Sequence, residues 1–117
     1  MSTISVSNIT DGTDTVGTSY VVNGSAKAWC HFNGTGTVAI SDSFSTSSLT
    51  DVSTGQYKTD WTNSFSNSEY ACSALSWQLC RWQSQATGFV EVISAPYYGA
   101  AHADGSDIHT IAFGDLA

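Results

Sequence analysis

Three histidines, His31, His102 and His109, share the chain with Asp104 and Asp107, and His102-Ala103-Asp104 is a short spacing that some metal sites use. A metal site needs three or four ligands converging from fixed elements. Here the histidines are scattered through Ser- and Thr-rich segments, where the plain reading is exposed turn residues. Neither a metal nor a cofactor is expected. Asp42, Asp60, Glu69 and Glu91 are the carboxylates from which a glycosidase pair would be drawn. That reaction needs two carboxyls about 5–10 Å apart in a groove. Asp60 falls on the outward side of its strand beside Lys58, Asp42 lies at a Ser-flanked strand end, and no pair stands out.

Nucleophilic chemistry finds no better support. No Gly-x-Ser-x-Gly elbow and no phosphate-binding glycine loop occur. Cys30, Cys72 and Cys80 are an odd number in no zinc-like spacing, and their plain reading is buried, inert thiols. Cys30 faces the expected core while His31 beside it faces away, so the two do not form a thiolate–imidazole pair. No catalytic residue is assigned, and a non-enzymatic protein is expected.

The aromatic residues point instead to binding and packing. Trp29, Phe32, Tyr57, Trp61 and Trp77 fall in alternating stretches, which assigns them to the core or to packing between subunits. Trp77 alternates with Leu75 and Leu79, a core pattern. Trp82 lies beyond that alternation beside Arg81, Tyr97-Tyr98 follow Pro96 at a loop apex, and His102 comes shortly after. Trp82, Tyr97, Tyr98 and His102 are the candidates for an outward, receptor-facing surface, since exposed Trp and Tyr stack on sugars or anchor interfaces.

The elements that must position these residues read as strands. Lys27 to Phe32 alternates, with Ala28, Cys30 and Phe32 on one side and Trp29 and His31 on the other; Asn33-Gly34-Thr35-Gly36 then makes a hairpin-type turn. Val38, Ile40 and Phe44 are expected on one face of the next strand. Ser45 to Val52, Gln56 to Thr62, Glu69 to Trp82, Thr87 to Ser94 and Asp107 to Phe113 complete seven strands. The long run from Glu69 changes phase between Ala74 and Leu75, which predicts a bulge or a bend there. The only helical candidate is Tyr97 to Ala103. Short strands at intervals of roughly 8–12 residues predict an all-β fold, a small antiparallel, jelly-roll-like β-sandwich. Residues 26–117 form its body. Residues 1–25, poor in large apolar side chains, read as an extended N-terminal arm that docks Ile4, Val6, Ile9, Val16 and Tyr20 in grooves on other subunits.

Composition narrows the partners. Charged residues are 11% of the 117, and the net charge is −7 with only Lys27, Lys58 and Arg81 positive. Nucleic-acid binding draws on clustered cations, so it is not expected. No apolar run approaches the roughly 18 residues of a membrane span, and Met1 to Asn8 lack the basic and apolar regions of a signal peptide. Several strands are apolar on both sides, which a small two-layer domain hides by oligomerising.

A compound pattern runs through the first half: Asp11-Gly12-Thr13-Asp14-Thr15-Val16, then Tyr20 to Trp29 with its Lys27-Ala28-Trp29, then Phe32-Asn33-Gly34-Thr35-Gly36, and Thr54-Gly55-Gln56-Tyr57. Phe113-Gly114-Asp115 closes it. This pattern resembles a recurrent module of tail-fibre-like and other virion structural proteins of tailed bacteriophages and prophages. Cys30 and His31 depart from a Val-Asn-like pair, Gly17 stands where Pro is common, and Ser76 to Gly105 matches nothing in the pattern. The resemblance implies a virion component and does not say which one; the first expectation is a tail fibre or adhesion component, a homotrimer assembled in the bacterial cytoplasm and carried on the virion. Its partners would be sister copies, other virion proteins and a host surface glycan or protein. The alternative is a capsid decoration, cement or head-fibre protein.

Overall fold

The computed structural model describes residues 1–117. The arm comes first: strands β1 (Asn8–Thr10) and β2 (Thr15–Gly17) pair as a hairpin, and helix α1 (Thr18–Gly24) follows. Asp11 closes the hairpin turn. The backbone N–H groups of Asp14 and Thr13 donate to its carboxylate, each at 2.9 Å, and hold its pKa below the usual range.

Helix α1 is a difference from the extended chain expected there, and Tyr97 to Ala103 forms bends and a turn rather than a helix. Seven residues that include Val21 and Val22 have little helical tendency alone. Tethers at the C-terminal end supply what propensity does not. Ser25 donates from Oγ and from N–H to the Val21 carbonyl oxygen, and Lys27 Nζ reaches the carbonyl oxygens of Val22 and Ser25. A cation at that end is also favoured by the helix dipole.

The body is β3 (Ala28–Asn33), β4 (Ala39–Phe44), β5 (Thr46–Ser53), β6 (Gln56–Trp61), β7 (Ala71–Ser76), β8 (Leu79–Ala86), β9 (Phe89–Ala95) and β10 (Ile108–Phe113). They form two antiparallel four-stranded sheets, β4-β3-β10-β7 and β5-β6-β9-β8. This is the expected small all-β sandwich. The inward positions follow the alternation: Ala28, Cys30 and Phe32 on β3, Tyr57, Thr59 and Trp61 on β6, Val90 and Val92 on β9, and Ile108, Thr110 and Ala112 on β10. Thr59 and Thr110 meet across the core, hydroxyl to hydroxyl at 3.5 Å, so neither is left unpaired.

Two expectations about register fail, for the same kind of reason. Ser41 is an extra residue in β4: Phe32 pairs with Ile40, but His31 pairs with Asp42. The bulge reverses the facing beyond it, so Phe44 pairs with outward Trp29 and parts company with Ile40. The second failure concerns the run from Glu69 to Trp82. No bulge interrupts the pairing of β7 with β10. The chain instead turns at Trp77-Gln78 and crosses to the other sheet, so Leu75 and Trp77 belong to an outer face. Trp77 is 74% exposed and is not a core residue.

The sandwich has two distinct ends. At one, Lys27 N–H bonds Ala112 at 2.8 Å where the arm enters, and the 62–70 loop packs beside the 87–88 turn and Asp115. There Tyr70 stacks on Phe65 at 4.0 Å between centroids and accepts from Trp61 Nε1 at 3.2 Å. The opposite end gathers the 33–38 turn, the 53–55 turn, the Trp77-Gln78 turn and the 96–107 loop. Tyr57 and Asp104 tie that end together: the Tyr57 hydroxyl bonds the Gly34 carbonyl oxygen at 2.8 Å, and Asp104 accepts from Gly55 N–H at 2.8 Å.

Candidate functional site

The outer faces of the two sheets differ in chemistry. On β5-β6-β9-β8 the outward side chains satisfy one another. Lys58 Nζ lies 3.8 Å from Asp60 and 5.2 Å from the centre of the Phe89 ring, while Glu91 accepts from Gln56 Nε2 and from Ser84 Oγ. This face offers water a closed polar network.

The outer face of β4-β3-β10-β7 is open and carries large apolar side chains among polar ones. Antiparallel register sets Phe44, Trp29, Ile111 and Ser73 in one row, and Asp42, His31, His109 and Leu75 in the next. Directly opposed residues on neighbouring strands share a face, so each row is a contiguous stripe. Phe44 is 54% exposed and Leu75 66% exposed. Trp77 extends the second row toward the far end. Between Trp29, Ile111, Leu75, Trp77 and His109 lies a shallow cleft of about 630 Å³, with Asp107 on its margin.

His31 and His109 stack within this face, ring centres 4.0 Å apart and planes within 16°. Asp107 Oδ1 lies 3.3 Å from His31 Nε2, and Asp42 pairs with His31 across the strands. His102, the third member of the triad considered from sequence, is on the 96–107 loop and does not join them. No group of three His, Cys, Asp or Glu converges as metal ligands would.

Of the thiols, Cys30 borders the cleft from the core side, whereas Cys72 and Cys80 do not line it. Burial pushes Cys30 and Cys80 up to about 11 each, and raises Cys72 as well. All three are free. Thiols held in the protonated form are poor nucleophiles.

The other candidate residues divide by location. Phe32, Tyr57 and Trp61 are core; Trp29 is half-buried on the outer face between Phe44 and Ile111. Tyr97 and Tyr98 are 68% and 84% exposed at the end opposite the arm, on the same loop as exposed His102. Trp82 is exposed too, but lies elsewhere. It sits on edge strand β8 opposite Val92, donates from Nε1 to Gln85 at 2.9 Å, and borders the Ser68–Tyr70 segment. The four residues therefore do not form one surface.

Of the arm residues, Ile4, Val6, Ile9, Val16 and Tyr20 are all exposed. The face residues Phe44, Leu75 and Ile111 were not singled out in the sequence as an outer face, and His109 was weighed there only as a metal ligand. The alternation of Leu75 with Trp77 was visible, but nothing local says which side of the sheet that alternation faces.

No family model matches the chain, and no curated protein or solved structure matches it. No helix of the structure is long and apolar enough to cross a membrane.

Proposed function

We propose that this protein is a non-enzymatic structural component of a bacteriophage particle, of the tail-fibre or adhesion type, which assembles through its arm and an apolar sheet face. The observation that carries the reading is the arm. Ile4, Val6, Ile9, Val16, Tyr20, Val21 and Val22 are all exposed, and none of α1 is buried. Apolar side chains repeated along a projecting segment gain nothing in water and gain free energy once covered.

Shape supports the same reading. A radius of gyration of 16.5 Å exceeds the roughly 13 Å expected of a compact chain of this length. Extents of 51 × 29 × 25 Å make the molecule a body with an extension. The phage assignment rests on the compound pattern from Asp11 to Tyr57 with its Phe113-Gly114-Asp115 ending. In this role Tyr97, Tyr98 and His102, at the end away from the arm, face outward toward a host glycan or surface protein. Three such weak sites on one trimer would gain through effective concentration.

The test is incorporation. The buried core draws only on residues from Ala28 onward, so deletion of residues 1–25 leaves a folded body that fails to enter particles. Cryo-electron microscopy of particles carrying the full chain then places it at the tail. A head position would replace the adhesion role with capsid decoration, and normal incorporation of the deletion would refute the arm's part.

A further inference from the structure

Two apolar surfaces of this chain find no partner within it. One is the arm, with Ile4 87% and Tyr20 74% exposed. The other is the cleft that runs along β3, β10 and β7 from Trp29 and Ile111 to Leu75 and Trp77. Because both remain open in the same molecule, a chain's own arm does not occupy its own cleft.

The cleft begins beside the point where the arm enters and runs away from it. The arm enters at Lys27, beside the Ala28–Ala112 pair, whereas Trp77 and Asp107 lie just beyond the Ile108–Ser76 pair at the other end of β10. Four residues of strand, about 13 Å, separate those pairs. Lys27 holds the C-terminal carbonyls of α1 at the entry end, and the exposed hairpin precedes that helix. With its arm and its cleft both open, one molecule can offer its arm to a neighbour.

Taken together, the two surfaces reach the size of an interface. A whole aromatic side chain offers about 150–250 Å². On that scale the exposed fractions of the seven apolar arm residues together with Leu75 and Trp77 of the cleft leave on the order of 1,000 Å² of apolar surface. Specific interfaces begin at about that size.

We propose that the cleft formed by Trp29, Leu75, Trp77, His109 and Ile111 seats the arm of a second copy of this chain. The proposal rests on the reading of the arm as an assembly element and names its receptor. Such a contact is heterologous: two different surfaces meet, so each molecule offers one arm and one cleft. Repetition closes into a ring when the rotation per copy permits, and a trimer is one such ring.

The test uses three full-length proteins in sedimentation velocity: the wild type, an arm variant (Ile9→Asp with Tyr20→Asp) and a cleft variant (Leu75→Asp with Trp77→Asp). All four positions are exposed, so the circular dichroism spectra of the variants should match the wild type and report an intact fold. The wild type is expected to associate with rising concentration, and each variant alone to remain monomeric. An equal mixture of the two variants is expected to form one-to-one dimers and nothing larger, because only one intact arm and one intact cleft can meet. Self-association of the arm variant alone would overturn the proposal in favour of a face-to-face dimer. A mixture that stays monomeric would also overturn it, as would a monomeric wild type at the highest attainable concentration. That last result leaves the arm free to seat on another particle protein, which the incorporation experiment decides separately.

Discussion

The hydroxyl of Tyr57 and the carbonyl oxygen of Gly34 are 2.8 Å apart, a hydrogen bond that joins the β3–β4 hairpin to the opposite sheet at the end away from the arm. The same hydroxyl lies 3.1 Å from Asp104 and accepts from Gly105 N–H at 3.4 Å. One buried phenol therefore fixes two loops at once. A Cβ at position 34 would fall 2.4 Å from the Tyr57 ring and 2.8 Å from the Gly105 carbonyl oxygen. Gly34→Ala is expected to lower stability by about 2–3 kcal/mol, because backbone and a packed ring must both yield. Tyr57→Phe is expected to cost about 1–3 kcal/mol through the unpaired groups it leaves. Urea denaturation of both variants measures these losses.

Stability should decline on the alkaline side. Burial pushes Cys30 and Cys80 up to about 11 and Tyr57 up to about 12, from ordinary values of 9.0 and 10.0. In each case the folded state holds the proton more tightly than the unfolded chain. The stabilisation is full below pH 9 and is lost as pH rises toward 11 and 12. Thermal midpoints measured from pH 7 to 11 should fall from about pH 9 upward, and a Cys30→Ala, Cys80→Ala variant should fall less steeply.

Trp77 and Phe32 make a paired test of the corrected placement. Phe32 is fully buried, so Phe32→Ala should cost about 3–5 kcal/mol. Trp77→Ala, at an exposed turn, should change the stability of the isolated chain by no more than about 0.5 kcal/mol. Chemical denaturation at low protein concentration, where association does not contribute, separates the two. Comparable losses would return Trp77 to the core.

Ser45, with φ 54°, is the only non-glycine residue in the left-handed region. It stands where the chain leaves β4 in one sheet for β5 in the other, and its carbonyl oxygen accepts from Thr62 N–H at 2.8 Å. Left-handed backbone costs an ordinary L-residue about 1–2 kcal/mol and more for a branched one. Ser45→Val is expected to destabilise by about 1–2 kcal/mol, whereas Ser45→Gly should be neutral or slightly stabilising. Thermal unfolding of the pair checks the order.

Much of the sandwich was legible because its inward side chains alternate within single strands. Ala28, Cys30 and Phe32 announce the buried side of β3, and Tyr57 and Trp61 that of β6. What failed lacked a local marker. Ser41 bulges in a run of small polar residues where any one of them could be the extra one. The reversal at Trp77-Gln78 uses no Gly, Pro, Asn or Asp, so it reads as continuing strand. Helix α1 depends on Lys27, outside the segment it stabilises. The apolar face was beyond reach for another reason. Trp29 and His31 were correctly set on the outer side of β3, but their neighbours Ile111 and His109 stand about eighty positions away along the chain, and only pairing brings them together.

Because Lys27 and Ala112 are bonded neighbours at the same pole of the sandwich, the direction of a mechanical load matters. A tug on the far loops that is resisted at the arm runs parallel to β3 and β10, and every rung between them shares it. Prying the two chain ends apart at their common pole instead opens the same ladder like a zip, one rung after another. Any anchor that holds this molecule by its leading segment loads it along the strong direction.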